Sequence, residues 1–187
     1  MPYTPFHVGP GMLVKAAMPR HFSIIVFGLT QIALDLEVLR HMMRHEYPWH
    51  TFWHTFLGAT LIATIMAVIG KSFSQWIKMA WNLIVAKSHE TKLRAPVSTS
   101  WCASITGAFI GAYSHIVFDS LYHSDIKPLQ PWSESNRLLG VIKPDFMELI
   151  CVVLGIAGIV WLFARWSRKK RIVEATDLWS QQSGSNR

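Results

Sequence analysis

Three apolar, helix-length stretches of this chain carry histidine or carboxylate near one end, and that placement constrains the fold more than any other feature. His50 and His54 precede FLGATLIATIMAVIG, and His115 and Asp119 close WCASITGAFIGAYSHIVFDSLYH. Asp35 sits near the end of HFSIIVFGLTQIALDLEVLR. Residues four apart share one face of a helix. Imidazoles and carboxylates are expensive in hydrocarbon and mark functional positions there. The pattern predicts an all-α integral membrane bundle whose helices meet around metal.

Half of the 187 residues are apolar and only 16% are charged, the composition of a membrane protein. The length fits one domain. The excess of Lys and Arg does not point to nucleic acid, because it gathers in short segments beside apolar runs, where it acts as a topology signal. Cys102 and Cys151 both lie in apolar segments and offer neither a disulfide framework nor a Cys-x-x-Cys knuckle. The opening residues lack the basic, apolar and small-residue regions of a cleavable signal peptide.

Four segments have spanning length, about 22–40, 51–70, 101–123 and 147–164. A shorter run, 76–86, carries an apolar stripe of Trp76, Ile77, Met79, Ala80, Leu83 and Ile84 and predicts a separate amphipathic helix lying in the interface. The expectation is four to five hydrophobic helices plus that interfacial one. Residues 87–100 predict a polar loop, and 124–146 a Pro-rich one. The embedded domain covers 1–165, and 166–187 is a basic, then polar, tail that frays. Lys and Arg in 71–100 and in RWSRKKR put that loop and the C-terminus in the cytoplasm. Asp35, His50, His54, His115 and Asp119 then share one level near the outer face.

Such nitrogen and oxygen donors suit Zn²⁺, Mn²⁺ or Fe²⁺. More than four ligands in one place allow more than one ion, an arrangement suited to phosphoester hydrolysis. Glu37 is a second ligand or a general base beside Asp35, and a solvated helix end near Arg40 and Arg44 is its plain alternative. His123 and Asp125 could bind metal or orient ligands from behind. His41 and His45 are interfacial, and His21 and His89 fall on the inner side. Asp145 and Glu148 are helix-start acids. His7 reaches the site only if residues before Met18 form a short helix entering from the outer side. Pro10 and Gly11 oppose such a helix.

Several stretches together resemble the YdjM-like group of membrane-bound, metal-dependent hydrolases. They are TPFHVGPGMLVKA, LTQIALDLEVL, HTFWHTFLGA and GAYSHIVFDSLYHSDIKPLQPWS. Leu34 and Glu37 stand where that group has proline and a second aspartate, and Thr51 where it has arginine. The resemblance implicates His7, Asp35, Glu37, His50, His54, His115 and Asp119 as metal ligands. It favours the model in which His7 reaches the outer site. It also implies one to three divalent ions, Zn²⁺ first among them, a bacterial inner-membrane location and a likeness to zinc-dependent phospholipase C.

The expected function is therefore a membrane-bound metal-dependent hydrolase acting on a phosphoester or lipid-linked substrate through metal-activated water, with Glu37 as general base. The alternatives are a divalent metal-ion transporter and a non-catalytic metal-binding protein. Transport needs a polar path to the other face, and the inner halves of the second and fourth segments contain no ionisable residue. Oligomeric state is not legible in the sequence.

Overall fold

A computed structural model describes residues 4–87 and 94–185. His89 and the middle of the expected 87–100 loop lie outside the described residues. The described residues form five α-helices: α1 (Thr4–Ala17), α2 (Ile24–Met43), α3 (Phe56–Lys87), α4 (Trp101–Tyr122) and α5 (Pro144–Ser185). No strand occurs among the described residues.

Three of the helices, over Phe56–Ala86, Trp101–Tyr122 and Asp145–Ile172, are long and apolar enough to cross a membrane. The sequence suggested a fourth. At 20 residues α2 has the length, but Asp35, Glu37 and Arg40 dilute it. The separate interfacial helix over 76–86 is not formed, because α3 runs unbroken through it. No proline interrupts that stretch. Polar anchors support it instead: Ser74 Oγ bonds Thr99 Oγ1 at 2.8 Å, and Lys78 Nζ reaches the same oxygen at 2.8 Å. Likewise α5 continues through the basic flank to Ser185, where the sequence suggested fraying.

The core is built largely from small side chains. Ala59, Ala63 and Ala67 of α3 meet Ala108 and Ala112 of α4, with Val26, Leu34 and Ile116 filling the remainder. Small residues let membrane helices approach closely, where dispersion rather than water expulsion drives packing. Gly107 shows how closely: a Cβ there would sit 2.6 Å from the Ser23 carbonyl oxygen. Ser23 and Ser100 cap the first turns of α2 and α4, accepting from Val26 N at 3.3 Å and Ala103 N at 3.1 Å. The outward faces of α3 and α5 stay apolar, with Ile65, Val68, Val153, Ile156 and Val160 exposed.

The awkward N-terminal segment does form a helix. Packing overrides the low propensity of Pro10 and the neighbouring glycines. Gly9 lies against the Cys151 backbone of α5, in a gap that a Cβ would fill, and Gly11 lies against the Phe27 ring. Arg165 donates to the Ala16 carbonyl at 2.9 Å, satisfying an otherwise unbonded group at the C-terminal end of α1. His7 therefore stands at the end of the bundle where α4 finishes.

Candidate metal centre

The helix register of α4 puts His115 one turn before Asp119, with His115 Nε2 3.0 Å from Asp119 Oδ2. α2 delivers Asp35 to the same nitrogen, with Oδ1 at 3.3 Å. A 3-10 turn over Phe52–His54 supplies His54, whose Nε2 lies 3.8 Å from Asp119 Oδ2. α1 brings His7, with Nδ1 3.4 Å from His115 Nδ1 and Nε2 3.6 Å from Asp119 Oδ1. One atom each from Asp35, His54, His115 and Asp119 fall within 4.8 Å of one another. His54 and His115 are wholly buried, and Asp119 nearly so.

Glu37 does not join these four. It stands behind His54, with Oε2 2.8 Å from His54 Nδ1. Its carboxylate also accepts from Thr51 N at 3.1 Å, from Trp53 N at 3.3 Å and from the Thr51 hydroxyl. Those bonds form the 3-10 turn and leave the carboxylate fully engaged. Glu37 is expected to be a ligand or base, and here it holds the His54 ring from behind, as carboxylates behind metal-bound histidines do. Thr51, which the sequence showed only as a departure from the usual arginine, is its hydroxyl donor.

With Glu37 accepting the Nδ1 proton, the His54 Nε2 lone pair faces the cluster, a tautomer assigned from this network. Both His54 Nε2 and His115 Nε2 are buried without a hydrogen-bond partner. Carboxylate oxygens are near them but not aligned for hydrogen bonds. Unpaired buried nitrogens are costly, and so are two adjoining carboxylates. A divalent cation resolves both. Two imidazoles and two carboxylates match a zinc-type donor set.

His50 does not share a helical face with His54, because residues 50–54 bend into the 3-10 turn instead of opening α3. It belongs to a second group with His123 and Asp125. Asp125 Oδ2 accepts from Trp49 N and His50 N at 3.1 Å each and lies 3.0 Å from His50 Nδ1. The rings of His50 and His123 are 4.3 Å apart, and His50 and His54 are 4.8 Å apart. The two groups thus adjoin. Burial, reinforced by neighbouring His54, pushes His50 down to about 4 despite Asp125, so its ring is neutral at neutral pH. Burial raises the Asp125 carboxyl, but the bonds from His50 outweigh it and hold the group below the usual range. His41 pairs instead with Glu46, at 3.2 Å.

No curated protein and no solved structure matches the chain. A family model does, over residues 5–178, a span that takes in His7 at one end and nearly all of α5 at the other. The chain with this buried histidine–carboxylate cluster belongs to the YdjM inner membrane protein family.

Proposed function

We propose that this protein is a membrane-bound hydrolase using one or more divalent ions, Zn²⁺ first among them, on a phosphoester or lipid-linked substrate. The observation that carries the reading is the pair of buried, unpartnered nitrogens on His54 and His115, set against two carboxylates. His54, His115, Asp35 and Asp119 would hold the first ion, with His7 at its edge. A further ion at His50, His123 and Asp125 would require the closed network between Asp125 and His50 to open. A bound ion supplies Lewis acidity and lowers the pKa of a bound water towards neutrality. Asp35, 20% exposed where Asp119 is 10%, is the ligand nearest solvent and the side from which substrate would enter. Glu37 acts through His54, as a positioning residue.

The basic residues support an orientation. Lys15, Lys78 and the Arg165–Arg171 flank lie at the end of the bundle away from the cluster, so the positive-inside tendency puts the cluster near the outer face and the C-terminus in the cytoplasm.

Metal analysis of the detergent-purified protein, followed by assay of phosphoester and phospholipid hydrolysis, tests the reading. Stoichiometric metal with hydrolysis that a chelator stops is the expected result. Gln31 favours the transporter as a second reading: it lies one turn below Asp35, fully buried, with both amide atoms unpartnered. Metal uptake into proteoliposomes without hydrolysis of any substrate tried would decide for transport.

A further inference from the structure

A second polar feature lies at the opposite end of the bundle, about 24 Å from the metal centre by the helical rise between Ala103 and Asp119. It is a cavity of about 530 Å³ whose lining includes Lys15, Arg20 and Lys78. Among the described residues none of the three pairs with a carboxylate. Lys15 Nζ donates to the Pro19 carbonyl at 2.7 Å and the Phe22 carbonyl at 2.8 Å. Lys78 Nζ donates to the Ser98 carbonyl at 3.2 Å and Thr99 Oγ1 at 2.8 Å. An ammonium has three donors, so each lysine keeps one to offer.

The backbone adds to the positive field. α2 and α4 both begin at this cavity, with their capping residues Ser23 and Ser100 in its wall. Helix starts carry partial positive charge. The two lysines are near enough to repel each other. Three cationic residues and two helix starts thus line one space, and among the described residues no carboxylate lines it with them. The space is far larger than a chloride ion needs, and its donors come from several directions, as the oxygens of a tetrahedral anion require.

We propose that this cavity binds a phosphate group, held by Lys15, Lys78 and Arg20 over the starts of α2 and α4. The group comes either from an anionic lipid headgroup of the adjoining leaflet or from free phosphate. The site is independent of the metal centre, and its failure would leave the hydrolase reading untouched.

Two probes separate the sources. In detergent, sodium phosphate is titrated against sodium chloride at equal ionic strength while the thermal midpoint is followed. In nanodiscs of mixed phosphatidylglycerol and phosphatidylcholine, native mass spectrometry reads which lipid stays bound. The expected result is stabilisation by phosphate, retention of phosphatidylglycerol, or both. Stabilisation alone identifies free phosphate, and retention of lipid assigns the site to the headgroup. Lys15→Gln and Lys78→Gln should each weaken the bound probe about tenfold, the loss of one charge-assisted contact. Arg20 is exposed, so Arg20→Glu should fold even if the lysine variants do not, and it too should weaken binding. The proposal is overturned if neither probe is distinguished from its control, or if binding persists unchanged in Arg20→Glu and in the lysine variants that fold.

Discussion

The two histidine–carboxylate groups adjoin, yet they treat their polar atoms differently. The group of Asp35, His54, His115 and Asp119 is held by α2, α4 and the 3-10 turn, and it leaves two ring nitrogens unbonded. The group of His50, His123 and Asp125 is held by connecting segments. There Asp125 closes the network by accepting from two backbone amides and contacting the His50 ring. Ligand-type residues alone therefore say little. A cluster that satisfies itself can be structural, whereas one whose buried ring nitrogens lack hydrogen bonds beside carboxylates has room for a cation to serve them.

Substitutions at the core of the first group should have the largest effect. His54→Ala or Asp119→Ala is expected to abolish stoichiometric metal and hydrolysis together, read by metal analysis and turnover. Loss of metal held at about 100 times its Kd removes about 2.7 kcal/mol of stability, so the thermal midpoint should fall by the same amount in wild type treated with chelator. Asp119→Asn, which keeps the volume, controls for packing. A variant that keeps its full metal content would remove the first group from the proposal.

Glu37→Gln comes next. If the carboxylate acts by orienting His54, metal affinity should fall about 10–100-fold, measured by competition with a chromophoric chelator. Unchanged affinity with slowed turnover would instead make Glu37 a proton-transfer group, the role its sequence position first suggested. His7→Ala should weaken metal less, about fivefold or below, because His7 lies at the edge of the cluster and leaves the main donors in place. The smallest effect is expected at the second group. His123→Ala should leave the first ion bound and hydrolysis detectable. A drop in stoichiometry by one ion would show that the closed network opens to take metal, and loss of every ion would refute the division between the groups.

Much of this was legible because it depends on local periodicity. The His115–Asp119 pairing follows from the register of one helix, and the spanning character of α3, α4 and α5 from length and apolarity. What failed depended on contacts between distant segments. His50 and His54 have helical spacing, but Glu37 gathers the amides around Thr51 into a 3-10 turn and Asp125 draws His50 aside. The sequence offered no signal for the Glu37–Thr51 bond. The helicity of α1 was hidden for the opposite reason: Pro10 and Gly11 argue against it locally, and only the α5 backbone and the Phe27 ring make it worthwhile.

The glycine contact between α1 and α5 has a consequence for how the protein is made. α1 rests mainly on α5, so α1, made before α5, waits for it before it has a seat. Asp35, His54, His115 and Asp119 can assemble from α2 to α4 while synthesis continues, but His7 can dock only after the C-terminal helix is inserted. Maturation would then have two stages, an early centre of four ligands and a late closure by the N-terminus. A chain released before α5 should capture metal yet leave α1 open to protease.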